Sequence, residues 1–94
     1  MNQKGSREIL SITIEQLRAA RALINWSQTE LAERAKMSLP TVKRVEAGTG
    51  PRVSDEARLK LQRALELGGV EFIDANGGGP GVRLHKSPQR KQRK

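Results

Sequence analysis

Apolar positions in this chain recur at helical spacing from residue 12 to residue 67, then switch to alternation over two short runs near the end. Thr13 and Gln16 have the spacing of a capping box, with Ile12 and Leu17 as the hydrophobic staple around it. The helix they open places Leu17, Ala20, Leu23 and Ile24 on one face, with Arg18 and Arg21 outside that stripe. Ser27 and Glu30 repeat the capping-box spacing between Trp26 and Leu31, and Leu31, Ala32 and Ala35 follow as a narrow apolar face. Ser38 caps a further short helix that carries Pro40 in its first turn, where a missing N–H costs nothing. There Val42 and Val45 point inward, leaving Thr41, Lys43 and Arg44 outward, and Gly48 supplies a left-handed stop.

Ser54 caps a fourth helix, with Asp55 and Glu56 complementing the helix dipole and Ala57, Leu61, Ala64 and Leu65 lining its inner side. Gly68 and Gly69 end it. Two β-rich runs then alternate Val70 with Phe72 and Val82 with Leu84 around the glycine loop 76–81, which predicts a hairpin. Two strands alone are marginal. Hairpins of two chains pairing through Val70, Phe72, Val82 and Leu84 are the favoured solution, and a hairpin folded back over its own fourth helix is the competing one.

The two short helices of residues 27–48 have the layout of a helix-turn-helix DNA reader. The stretch resembles the Cro/C1-type (XRE, phage-repressor-like) helix-turn-helix family over roughly residues 12–68. The likeness is carried by Gln28, then Glu30-Leu31-Ala32, Ala35, and Thr41-Val42 with Glu46 and Gly48. It implies a mainly α fold, a four-helix lambda-repressor-like domain over 12–68, here followed by a β-hairpin over 69–86. A flexible arm over 1–11 and a disordered basic tail over 87–94 complete the expected organisation. The resemblance also implies that Arg21 pairs with Glu46, tying the first helix to the end of the recognition helix. Many family members continue with a fifth helix, and the hairpin stands in its place. That ending also resembles, more distantly, short regulators on conjugative mobile elements that control a divergently transcribed antiactivator gene.

On this reading Leu39, Pro40, Thr41, Lys43 and Arg44 face base edges, with Arg44 suited to guanine O6 and N7. Leu39 has an alternative as packing against the turn, and Trp26 is read as core. Gln28 and the amides of its helix, Ser38, and Arg52 in the following loop are placed against phosphates; a surface arginine without a role is the other reading of Arg52.

Charge changes this picture less than its size suggests. The 94 residues carry a net charge of +8, but residues 83–94 hold six cations and no acid. The other 82 residues hold 12 basic and 10 acidic side chains, so the domain rests on its pattern rather than on its pI. The tail is read either as a salt-sensitive attraction to phosphates or as a solubilising segment. With no cysteine and one histidine, His85, there is neither a disulfide framework nor a nucleophile–base pair or metal cluster, so neither catalysis, a cofactor nor a bound metal is expected. No run reaches the roughly 20 apolar residues of a membrane span and no signal-peptide pattern opens the chain, which points to a bacterial cytoplasm and its nucleoid. The function expected is a sequence-specific, dimeric transcriptional regulator on an inverted repeat of double-stranded DNA. The alternative is an antitoxin or protein-interaction adaptor that uses the same domain to autoregulate.

Overall fold

A computed structural model describes residues 12–48, 54–75 and 77–85. The element order is α1 (Ile14–Leu23), α2 (Gln28–Ala35), α3 (Leu39–Ala47), α4 (Asp55–Leu67), β1 (Val70–Ile73) and β2 (Gly81–Leu84). The expected arm, the Arg52 loop and the basic tail lie outside the described residues.

All four helices begin at the residues chosen for their side-chain chemistry. Thr13, Ser27, Ser38 and Ser54 each accept a hydrogen bond from the backbone N–H three residues on. The box at α1 is complete, since Gln16 Oε1 also accepts from the Thr13 N–H at 2.8 Å. At α2 only the serine half is made. The Glu30 carboxylate turns instead to Arg34 Nε at 2.6 Å, and that guanidinium lies 5.1 Å from the centre of the Trp26 ring. An oppositely charged partner one turn away outcompetes a backbone N–H that solvent can satisfy.

The core is one cluster drawn from every helix: Leu17 and Ala20, Leu31 and Ala32, Val42 and Val45, Leu61 and Leu65, all buried. Leu23, expected on the α1 stripe, is 40% exposed. Six residues at about 100° each place it some 120° round the helix from Leu17, so it misses the face that Leu17, Ala20 and Ile24 share. Gln16, seven residues earlier and within about 20° of Leu23 round the helix, is buried although polar, because the hairpin lies over that side at the start of α1.

That glutamine explains where the hairpin sits. Its Nε2 donates to the carbonyls of Ile73 (3.1 Å) and Gly81 (2.9 Å), the last opposed pair of the antiparallel ladder. One side chain thus caps α1 and clasps the open end of the sheet. Val70, expected at a dimer contact, belongs to the chain's own core at 1% exposure. The reason is its position two residues after Gly68, where the chain turns back over α4. Phe72 and Val82 pack against the same core from its rim, and Leu84 is 54% exposed. The fold-back arrangement is therefore present, and it engages α1 as well as α4. On the outer face Arg83 and Glu71 form a two-bond pair at 3.1 and 3.2 Å. The hydrogen bonds and charge of that guanidinium hold the Glu71 carboxyl below the ordinary carboxylate range.

Candidate nucleic-acid interface

The turn between α2 and α3 is built from a residue the sequence does not advertise. Lys36 takes the left-handed conformation (φ 59°) in which glycine is usual, and the Met37 N–H returns to the Ala32 carbonyl at 2.9 Å. Ser38 then starts α3 by accepting from the Thr41 N–H at 3.2 Å, and its hydroxyl also shares a hydrogen bond with the Thr41 hydroxyl at 2.8 Å. Gly48 ends the helix at φ 71°, as expected.

Nine residues of α3 therefore stand between two defined stops. Its inner side is Val42, Val45 and Glu46, all buried. Its outer side presents Pro40, Lys43 and Arg44 to solvent, with Thr41 half-buried at the margin. Leu39 is half-buried and packs against the core, so the packing role weighed for it is present. Among the expected phosphate residues, Ser38 is exposed and occupied as a cap, and Arg52 lies outside the described residues.

What fixes the direction of α3 is a polar knot beneath it. Arg21 grips the Glu46 carboxylate with both Nε (2.8 Å) and Nη2 (2.9 Å), while its Nη1 donates to the Trp26 carbonyl at 2.9 Å. Gln28 Nε2 donates to the same carboxylate at 3.0 Å. Glu46 is 3% exposed and Arg21 23%. Arg18 adds a donor from outside the carboxylate, reaching the Glu46 backbone carbonyl at 2.6 Å. Residues of α1, α2 and α3 thus meet on one glutamate, and the outer face of α3 is aimed as a unit. The Arg21–Glu46 contact is the one the family resemblance implies. Gln28 was expected at a phosphate, and in this structure its amide is engaged with Glu46. Arg18 had no expected role; its place one turn before Arg21 was the signal that it lies over the same helix end.

A sequence model described as the helix-turn-helix domain matches residues 9–72. The chain belongs to the helix-turn-helix domain family. No curated protein matches it. The match agrees with the resemblance drawn from Gln28, Ala32, Ala35, Glu46 and Gly48, and it runs through all four helices into β1. Membership of the helix-turn-helix family supports a DNA-binding regulator, a class that is typically not enzymatic. Among the described residues no group of three or more His, Asp or Glu side chains is arranged to hold a metal, and no helix is long and apolar enough to cross a membrane.

Proposed function

We propose that this helix-turn-helix protein is a sequence-specific transcriptional regulator of the Cro/C1 type that binds an inverted-repeat operator as a homodimer. The second helix of its motif, α3, enters the major groove, with half-sites about one helical turn of DNA apart. The observation that carries this reading is the pairing of two features: an outward face of Pro40, Lys43 and Arg44, and an inward knot of Arg21, Gln28 and Glu46 that fixes its aim.

In this arrangement Arg44 reads guanine, Thr41 and Pro40 meet thymine methyl groups, and Lys43 reaches a base or a phosphate. The free amides at the start of α2 hold a backbone phosphate beside Gln28, whose side chain is kept in place by Glu46. Ser38 and Arg52 belong to the same phosphate track. Cytoplasmic location among the nucleoid follows from this reading, and an origin on a mobile element fits the hairpin ending.

Arg44→Ala is expected to relax base preference at one position in each half-site, at a cost of about 1–3 kcal/mol per contact. Selection of random duplexes by wild type and variant measures it directly. An unchanged motif would remove Arg44 from the set of reading residues.

A further inference from the structure

The outer edge of β2 is unpaired among the described residues, since the sheet has two strands. Its hydrogen-bonding parity is set by the ladder. The His85 N–H donates to the Gly69 carbonyl at 2.6 Å, so that pair is a bonded one. Alternation along an antiparallel ladder then makes Glu71↔Arg83 the next bonded pair, and leaves Val70↔Leu84 and Phe72↔Val82 as the non-bonded ones. Val82 and Leu84 therefore direct their N–H and C=O groups away from β1, toward the open edge.

Two further observations lie along that edge. The first is a groove of about 340 Å³ lined by Glu15, Gln16 and Ala19 of α1 and by Pro80 and Val82, with no β1 residue in its wall. The second is Leu84, which shares the inward face of the sheet with Val70, Phe72 and Val82 yet is 54% exposed. An apolar side chain lacking cover and an apolar groove lacking an occupant sit beside the same row of free backbone groups.

We propose that a second copy of this chain pairs with the β2 edge, antiparallel, about a two-fold axis through Arg83, so that two hairpins form one four-stranded sheet. This arrangement rests on the homodimer of the preceding reading and names its interface. Among the described residues it is the two-fold register that uses all the outward groups of β2: Val82 of each copy faces Leu84 of the other as a bonded pair, giving four hydrogen bonds. Directly opposed side chains share a face, so each Leu84 enters the groove beside Val82 of the other copy. On the outer face the two Arg83 side chains meet at the axis. Each is already paired with its own Glu71, so the row across the sheet reads acid, base, base, acid and carries no net charge. Continuation of the sheet also covers an edge that is otherwise a template for uncontrolled association.

The chain has no cysteine, so one introduced thiol reports only on contact between copies. At the axis the Arg83 positions form a non-bonded pair with Cα atoms about 4.5 Å apart, within the range a disulfide spans. Arg83→Cys in the full chain is expected to give a complete disulfide dimer under mild oxidation, read on a non-reducing gel. Glu71→Cys, one strand further from the axis, is expected to stay monomeric on the same gel. Leu84→Pro removes an outward N–H and the buried contact while leaving the chain's own ladder intact. It is expected to weaken dimerisation about a hundredfold in sedimentation equilibrium, with an unchanged circular dichroism spectrum. Absence of the Arg83→Cys cross-link, or equal cross-linking through Glu71→Cys, overturns the proposal. An inverted repeat selected by a protein whose Arg83→Cys form does not cross-link would place the dimer contact elsewhere and leave the regulator reading standing. A full cross-link in a protein that selects no DNA sequence would have the opposite meaning.

Discussion

Arg21→Ala is expected to cost about 3–5 kcal/mol of folding stability, because it strands the Glu46 carboxylate, 3% exposed, without its charge partner. Three contacts go at once: the two guanidinium bonds to Glu46 and the one to the Trp26 carbonyl. The Gln28 amide remains, but a single neutral donor does not replace a two-bond charged pair. Domains of this size hold only about 5–10 kcal/mol in total, so the variant is expected to be largely unfolded near physiological temperature. The paired replacement Arg21→Met with Glu46→Leu is expected to recover most of the loss, since no charge is then left buried. It should nonetheless weaken DNA binding, because α3 loses the contacts that aim it from α1 and α2. Urea unfolding followed by the fluorescence of Trp26, the sole tryptophan, separates these outcomes. A loss below about 1 kcal/mol in Arg21→Ala, within the span of an exposed pair, would show that the knot does not hold the helices together.

Gln16→Glu is the second large effect, and it is present at neutral pH and fades as pH falls. The buried amide offers one oxygen to the Thr13 N–H and one nitrogen to two carbonyls, Ile73 and Gly81. A carboxylate keeps the first contact and sets its second oxygen against both carbonyls, with no donor between them. The expected cost at neutral pH is about 3 kcal/mol, from a carboxylate oxygen held against two carbonyl oxygens and a charge removed from water. Protonation restores a donor, so the folded state raises the pKa of the introduced carboxyl above the ordinary glutamate value of about 4.3. The variant is therefore near wild type in stability below that value. It loses stability as pH rises from there, until the folded-state pKa is passed. A pH-independent deficit would mean that Gln16 acts by its volume rather than by its amide.

The same glutamine shows where reading the sequence reached and where it stopped. Its capping role was legible because a capping box is local: Thr13 and Gln16 are three residues apart, and the helix start follows from their chemistry. Its clasp on the hairpin joins residues 57 and 65 positions apart, and no spacing in the chain encodes that. The four helices were legible for the first reason, each announced by a Ser or Thr cap and an apolar face. The Arg21–Glu46 pair was legible only through the family resemblance. Gln28 and Arg18 show the limit of that resemblance, because it gives residue types at positions and not which donors converge on Glu46, Gln28 on its carboxylate and Arg18 on its backbone carbonyl. Lys36 was missed because its left-handed turn is imposed by the packing of α2 against α3, not by a glycine. The hairpin was legible as two alternating runs, but the tight return after Gly68 places Val70 in the chain's own core, and that depends on the third dimension.

Base reading by the outward face of α3 is tested most directly by selection of random duplex DNA by the full-length protein at about physiological salt. Recovery of an inverted repeat with half-sites about one helical turn apart is expected, with binding whose affinity falls as salt is raised. Recovery of no sequence preference, only salt-sensitive binding to any duplex, would contradict base reading and would assign the exposed Lys43 and Arg44 to phosphates alone.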